Sequence, residues 1–161
     1  MRGQLPTRPG AYYYDRPLSG ITGATVHYTA SPATGTVESI AAYQTGRGAQ
    51  EPFPAIAYTL VVDGTGRVYL CHDLTTRCWH SGAVIGGIAR NASHVGVCFI
   101  GNHSPNLAQV RGIAAAICWA EGELGRTLDV EGHGDQYQTA CPGSTWPAWK
   151  ATLMAFVREF R

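Results

Sequence analysis

A histidine and a cysteine lie eight positions apart in HGDQYQTACPG, a polar segment near the end of the chain. His133 opens this segment and Cys141 comes near its close, and neither has the apolar neighbours expected of a core residue. An imidazole nitrogen and a thiolate sulfur are both good zinc ligands, and a catalytic zinc ion takes three protein ligands and a water molecule. The pair therefore indicates part of a metal site and requires a third ligand elsewhere.

His27 is the best candidate for that third ligand. It follows the β-branched residues of ITGATVHYTA and so falls at the end of a predicted strand, beside polar residues. Two imidazoles and one thiolate leave a zinc site with a net charge of about +1, enough to acidify a bound water and polarise a carbonyl. Three other histidines are poorer candidates, since a single histidine is more often a structural residue. We expect His72 and His103 at the surface and His94 at the edge of the sheet.

The five cysteines are an odd number, so at least one is unpaired or bound to something else. Cys98 lies in the apolar run HVGVCFIG and Cys118 on the apolar face of a predicted helix, so both are expected to be small buried residues. Cys71 and Cys78 flank HDLTTR and could equally form a local disulfide or stay reduced. Cys141 alone has no structural explanation.

Composition and charge limit the classes of function. The 161 residues are 45% hydrophobic and 14% charged, which suits one domain with a sizeable core. A net charge of +1 gives no basic surface for nucleic acid or an anionic membrane. No run approaches the roughly 20 apolar residues of a membrane span. We expect no nucleic-acid partner, no membrane insertion and a monomer.

The first residues, MRGQLPTRPGAYYYDRPLSG, contain no apolar stretch of the kind found in secretory signals. We therefore expect synthesis in the cytoplasm and release towards any external target by another route. Residues 1–20 are predicted to be an N-terminal arm rich in proline and tyrosine, and residues 21–161 a single catalytic domain. The arm is either frayed or docked on the domain or on a partner, and the sequence does not decide between these arrangements.

Strands and helices are predicted to alternate along the domain, which indicates an α/β fold with a central mixed β-sheet flanked by helices. A helix begins after Thr36 as cap and runs to about Thr45. IAYTLVV and RVYLC form a hairpin around DGTG. HVGVCFIGN is predicted to be a strand covered on both faces, and TLDVEGHGD a short last strand that delivers His133 to a loop.

Two helices are predicted in the second half of the chain. Asn106 and Gln109 form a capping box at the start of NLAQVRGIAAAICWAEGEL. A final helix spans residues 146–160, with Pro147 tolerated in its first turn. Sites in such folds lie at strand ends, where His27 and His133 fall. The first of these helices is predicted to bury one face at helical spacing, formed by Leu107, Val110, Ile113, Ala114, Ile117, Cys118 and Leu124.

Four motifs in this order resemble those of the zinc-dependent N-acetylmuramoyl-L-alanine amidases. This family includes bacteriophage amidase endolysins and the peptidoglycan recognition proteins. The similarity runs from about Val26 to Trp149 and implies the α/β domain of that family. The motifs are VHYTAS, IAYTLVVDGTGRVY, CWHSGAVIGGIARNASHVGVCFIGN and HGDQYQTACPG.

The resemblance implies one zinc ion per chain, with His27, His133 and Cys141 as its ligands. It also implies two catalytic residues near the metal-bound water and the scissile carbonyl, Tyr58 and Thr139. Tyr58 could instead be a cross-strand aromatic residue of the hairpin, and Thr139 a loop hydroxyl bonded to backbone.

The third motif implies a substrate groove, with His80 as a groove histidine and Asn91 in the loop that lines it. The loop from Trp79 to Ser93 would form one wall, or would be a surface loop tucked in by its aliphatic residues. Two departures from the family pattern, Tyr28 and Thr59, bear on the surroundings of the metal and on substrate preference.

The implied substrate is bacterial peptidoglycan, cut at the amide between the lactyl group of N-acetylmuramic acid and L-alanine of the stem peptide. The implied role is that of a cell-wall-lysing endolysin. The main rival hypothesis is a recognition module that binds peptidoglycan without cutting it, although such proteins typically lack the cysteine that Cys141 provides. The sequence also leaves open a zinc peptidase acting within the stem peptide and a structural zinc protein, the latter disfavoured because only three convincing ligands are found.

Overall fold

The computed structural model describes residues 5–46 and 51–161, which form one α/β domain with an N-terminal arm packed against it. A short 3-10 turn, Leu18–Gly20, ends the arm. The strands are β1 Gly23–Tyr28, β2 Leu60–Val62, β3 Val68–Leu70, β4 Val84–Ile85, β5 Ile88–Ala89, β6 His94–Phe99 and β7 Asp129–Gly132. The helices are α1 Val37–Thr45, α2 Arg90–Ser93, α3 Leu107–Leu124, α4 His133–Gln136 and α5 Trp146–Phe160.

Five strands form the central sheet in the order β3-β2-β6-β1-β7, and β4 pairs with β5 in a separate hairpin. The pairs β2–β6, β6–β1 and β1–β7 are parallel, whereas β2–β3 is antiparallel. The predicted mixed sheet flanked by helices is therefore confirmed, as is the hairpin around DGTG. Since β1 and β7 are parallel neighbours, their carboxyl ends meet at one edge of the sheet.

Helices α3 and α5 cover one face of the sheet and enclose the larger apolar core, to which Val26, Val97, Ile113 and Leu153 belong. The capping box at Asn106 and Gln109 is present, and α5 carries Pro in its first turn as predicted. The prediction of a buried Leu107 was wrong, because its side chain is 62% exposed. It occupies the first position of α3, one turn before the helix reaches the core at Val110.

Helix α1 lies over the opposite face, where a smaller core contains Val37, Ala41, Val61 and Cys98. Its cap is Thr36, as predicted, with reciprocal hydrogen bonds to Ser39. The prediction that His94 lies at a sheet edge was wrong. His94 opens β6, an interior strand with β2 on one side and β1 on the other. Its side chain is buried over Gly23 of β1, where a Cβ would lie 2.3 Å from His94 Nε2.

The described part of the arm is docked on the domain. The Arg8 amide donates to the carbonyl of Pro54, the Tyr13 hydroxyl donates to that of Ala55, and Asp15 forms a β-bridge with Thr76. All five cysteines are free thiols, so Cys71 and Cys78 are not bonded to each other. In the part of the chain described here, no helix has both the length and the apolar character that a membrane span requires.

Candidate metal centre

The three predicted ligands come together at the carboxyl ends of β1 and β7. His27 is the fifth residue of β1, His133 follows β7 directly as the first residue of α4, and Cys141 lies in the loop after α4. One potential ligand atom from each residue lies within 4.8 Å of the other two. No other group of three or more His, Cys, Asp or Glu side chains among residues 5–46 and 51–161 is arranged to hold an ion.

The spacing of these atoms suits a tetrahedral zinc ion. Cys141 Sγ lies 3.5 Å from His27 Nδ1, and the rings of His27 and His133 have centroids 4.6 Å apart. Zinc bonds of about 2.1 Å to nitrogen and 2.3 Å to sulfur, at a tetrahedral angle, place the nitrogen and the sulfur about 3.6 Å apart. The donor set and its spacing therefore fit zinc with a fourth position left for water.

Burial controls the protonation of all three side chains. It lowers the pKa of His27 well below its ordinary value, and the neighbouring His80 and His133 act in the same direction. Burial also lowers the pKa of His133 and raises the pKa of Cys141 to about 11. The imidazoles are thus neutral, as ligands must be, whereas the thiol must lose its proton when a metal binds.

Asp135 holds α4, and with it His133, against the rest of the domain. Its carboxylate accepts hydrogen bonds from the Gly132 amide at 2.9 Å, Trp146 Nε1 at 2.9 Å and Lys150 Nζ at 3.1 Å. A side chain at Gly132 would collide with the Trp146 indole, 2.5 Å from the position of its Cβ. The sequence analysis did not predict this role of Asp135, although an acidic residue three positions after a helix cap is a recognisable signal.

A second polar contact ties α4 to the sheet below it. The Gln136 side-chain amide donates to Thr25 Oγ1 and to Glu131 Oε2, each at 2.7 Å, and its oxygen accepts from the Ser81 hydroxyl at 3.1 Å. The loop after α4 that carries Cys141, here called the ligand loop, ends near Gly143. Gly143 has a φ of +110°, and a Cβ there would lie 1.9 Å from the His103 carbonyl oxygen. Only glycine suits that position.

Tyr58 lies beside the candidate ligands, with its ring centroid 5.3 Å from that of His27. It precedes β2 and packs against the smaller core. Burial raises the pKa of Tyr58 well above its ordinary value, and the nearby thiols of Cys98 and Cys141 add to this. Its hydroxyl is therefore a hydrogen-bond donor over the whole physiological pH range, and its catalytic role stays a prediction.

Thr139 is exposed, and its hydroxyl oxygen accepts a hydrogen bond from the Cys141 amide at 3.3 Å. This contact fits the interpretation of Thr139 as a loop hydroxyl bonded to backbone. It does not compete with the predicted catalytic role, because a hydroxyl that accepts from an amide still has a proton to donate.

His80 and Asn91, the two predicted groove residues, make internal hydrogen bonds. His80 is 6% exposed, with Nδ1 3.0 Å from His27 Nε2 and Nε2 3.1 Å from the His94 carbonyl oxygen. Burial is the main factor that lowers the pKa of His80 to about 3. The Asn91 side chain accepts from the Ser81 amide at 2.7 Å. Both residues thus brace the long loop and the metal centre, and substrate contact by either stays a prediction.

The tip of that loop is apolar and open to solvent. Gly86 and Gly87 have positive φ angles in the turn between β4 and β5, as two-residue hairpins require. Val84 is 64% exposed and Ile88 is 55% exposed, so these aliphatic residues do not tuck the loop against the domain.

The sequence profile described as N-acetylmuramoyl-L-alanine amidase matches residues 16–144. Proteins with curated descriptions give no significant match. Among solved structures, bumblebee PGRP-SA is 20% identical with a TM-score of 0.74, covering 92% of this chain and 89% of its own.

An amidase and an endolysin of known structure have the same fold. The N-acetylmuramoyl-L-alanine amidase LysC from Clostridium intestinale is 19% identical with a TM-score of 0.68, covering 97% of this chain and 98% of its own. The Ph2119 endolysin from a bacteriophage of Thermus scotoductus is 19% identical with a TM-score of 0.61, covering 98% and 92%.

Proposed function

Because the chain belongs to the N-acetylmuramoyl-L-alanine amidase family, we propose that it is a zinc-dependent amidase that lyses bacterial cell walls. It would cut the amide between the lactyl group of N-acetylmuramic acid and L-alanine of the stem peptide. The observation that carries this proposal is the convergence of His27, His133 and Cys141 at one edge of the sheet. Cys141 favours an enzyme over a recognition module, since recognition proteins that do not cut typically lack this cysteine.

His27 Nδ1, a ring nitrogen of His133 and Cys141 Sγ would hold the ion. A zinc ion in such a site supplies a Lewis acid and a bound water whose pKa falls to about 7. The two imidazole nitrogens and the cysteine sulfur would favour zinc over harder cations that prefer oxygen ligands.

Tyr58 would donate a hydrogen bond to the oxyanion that forms when the amide carbonyl is attacked. Its position beside His27 and its persistent protonation support this role. Thr139 would offer a second hydroxyl from the exposed ligand loop. A proton must also reach the departing amine of L-alanine, and the Tyr58 hydroxyl is our candidate because burial keeps it protonated.

The long loop from Trp79 to Ser93 would form one wall of the substrate groove. Trp79 is 41% exposed, and the apolar tip at Val84 and Ile88 extends into solvent. Exposed apolar side chains on a braced loop suit contact with the methyl groups and sugar faces of a glycopeptide.

Mass spectrometry of purified peptidoglycan digested by the protein, with and without a zinc chelator, tests the proposal. We expect chelator-sensitive release of stem peptides with a free L-alanine amine, leaving glycan that carries lactyl groups. Cleavage within the stem peptide would instead identify a peptidase. Binding without any product would identify a recognition module.

Two cysteine variants provide the matched pair for this experiment. Cys141→Ser removes a proposed ligand. Cys118→Ser instead alters a thiol on α3 that donates a hydrogen bond to the Val157 carbonyl of α5. We expect the first variant to release no stem peptide and the second to behave like the wild-type protein. Equal activity of the two would exclude Cys141 from the reaction.

A further inference from the structure

A buried chain of hydrogen bonds runs from the N-terminal arm to the metal centre. Arg16 Nη1 donates to the His94 carbonyl, and His80 Nε2 lies 3.1 Å from the same oxygen. His80 Nδ1 in turn lies 3.0 Å from His27 Nε2. The opposite nitrogen of His27, Nδ1, faces Cys141 Sγ at 3.5 Å.

The atoms of this chain determine where its protons lie. A carbonyl oxygen can only accept, so His80 Nε2 must carry a proton. A neutral imidazole has one N–H, which leaves His80 Nδ1 as an acceptor. His27 Nε2 must then be the donor of the 3.0 Å hydrogen bond, and His27 Nδ1 is left without a proton. That unprotonated nitrogen is the one that faces the metal site.

We propose that His80 is a positioning residue that holds His27 in the tautomer and ring orientation in which Nδ1 is free to bind a metal. This inference rests on the zinc site proposed above and adds a role that the expected groove contact of His80 does not include. In the other neutral tautomer of His80, an unprotonated Nε2 would face the His94 carbonyl oxygen, and the hydrogen bond from Nδ1 would place the His27 proton on Nδ1, where the ion must bind.

Arg16 supports this arrangement from the arm. Its side chain is 4% exposed, and its Nε donates to the Leu74 carbonyl at 2.9 Å. Nη1 also donates to the Asn91 carbonyl at 3.0 Å. The guanidinium thus fixes the carbonyl that anchors His80.

Gly96 makes the space in which the His80 ring lies. A Cβ at this position of β6 would be 2.7 Å from His80 Cγ and 2.9 Å from Cδ2. The His80 ring therefore packs directly on the backbone of β6, and a residue larger than glycine at position 96 would occupy the space of the ring. This packing restricts the ring to the orientation in which one nitrogen meets His94 and the other meets His27.

Nitrogen NMR of the histidine rings in the metal-free wild-type protein tests the tautomers directly. We expect a proton on Nε2 and none on Nδ1 for both His27 and His80 at neutral pH. A proton on His27 Nδ1, or exchange of His27 between its two tautomers, would overturn the inference. This measurement needs no variant and does not depend on hydrolysis.

Three substitutions of His80 then separate its two hydrogen bonds, with the zinc Kd measured by competition against a chromophoric chelator. His80→Phe removes both bonds, His80→Asn retains an acceptor near Nδ1, and His80→Gln retains a donor near Nε2. Residues that orient a metal-binding histidine contribute roughly 10–100-fold to affinity. We expect that loss in His80→Phe, partial rescue in His80→Asn and little rescue in His80→Gln.

His72→Phe is the matched control, because His72 is a half-buried histidine whose Nε2 bonds to the Ile56 carbonyl at 2.8 Å instead. Its zinc Kd should equal that of the wild-type protein. An unchanged Kd in His80→Phe, or rescue by His80→Gln rather than His80→Asn, would overturn the inference. Wild-type protein that binds zinc but cuts no peptidoglycan would contradict the proposed function alone, and should His80→Phe not fold, the NMR result decides.

Discussion

The two faces of the central sheet are built from alternate residues of the same strands, yet they differ in chemistry. Towards α3 and α5, strands β1, β2 and β6 present aliphatic and aromatic side chains, among them Val26, Val62 and Phe99. Towards the other face, β1 presents Thr25 and His27, and β6 presents His94 and Cys98. Since side chains alternate along a strand, each face can be selected for a separate purpose.

The difference shows how a small domain separates stability from function. The apolar face contributes burial of the larger core, at about 25 cal/mol per Å² of apolar surface removed from water. The polar face buries His27, His80, His94 and Arg16, and the desolvation of such groups costs free energy unless hydrogen bonds offset it. Hydrogen bonds there fix side-chain positions more than they add stability. Four variants test whether the two faces are separable in this way.

Cys141→Ser should have the largest effect and should act on the polar face alone. Loss of a residue that only orients a ligand costs roughly 10–100-fold in metal affinity, so loss of a ligand should cost more and abolish turnover. The unfolding temperature of the metal-free protein should stay close to that of the wild-type protein. Isothermal titration with zinc and thermal unfolding measure the two quantities, and full activity without bound metal would contradict the zinc site.

Leu153→Ala should have the opposite effect: it should lower the stability of the domain and leave its zinc affinity unchanged. Leu153 is fully buried between α5 and the sheet, and removal of such a side chain typically costs about 2–5 kcal/mol of unfolding free energy. The zinc Kd of the folded fraction should be unchanged, because the metal centre lies on the other side of the sheet. Chemical denaturation and zinc titration of the same sample test this, and a parallel loss of zinc affinity would show that the two faces are coupled.

Tyr58→Phe should separate metal binding from turnover within the polar face. Loss of a catalytic proton or oxyanion donor lowers turnover by about 10²-fold. The zinc content should stay at one ion per chain, since the phenol is no part of the proposed ligand set. Unchanged release of stem peptides by the variant would remove Tyr58 from the mechanism and leave it as an aromatic packing residue.

Glu121→Gln should have the smallest effect, and its effect on the unfolding free energy should depend on pH. Burial alone would raise the pKa of Glu121, but hydrogen bonds from Arg161 and the Leu128 amide together lower it below its ordinary value. The stabilisation that the ionised Glu121 carboxylate contributes is therefore present above the pKa of Glu121 in the unfolded chain. It is lost as the pH falls through the lower pKa of Glu121 in the folded protein.

Relative to wild type, Glu121→Gln should lose about 1–2 kcal/mol of unfolding free energy at pH 7 and less at pH 3, which lies below the unfolded pKa. Denaturation curves at both pH values measure the difference. A loss of the same size at both would mean that the carboxylate charge contributes nothing. The zinc Kd should not change, because Glu121 lies near the end of α3, on the face of the sheet that α3 and α5 cover.

The elements that sequence alone predicted well depend on residues that are close along the chain. The caps of α1 and α3 each require two residues three positions apart, and the hairpin around DGTG requires a turn between two apolar runs. Leu107 was predicted wrongly, because helical spacing marks a face but does not say where along the helix the core begins. His94 was predicted wrongly, because strand order in the sheet does not follow chain order.

The candidate ligands were accessible from sequence because residue type and order suffice to propose zinc chemistry. His27, His133 and Cys141 have recognisable surroundings in the chain, and tertiary structure then brought them within 4.8 Å. What the sequence could not determine is which nitrogen of His27 faces the metal. That depends on a hydrogen bond to His80, 53 positions away, and on Arg16 and His94, which are 78 positions apart. Proton positions in a buried site are decided by long-range contacts, and these exist only in the folded chain.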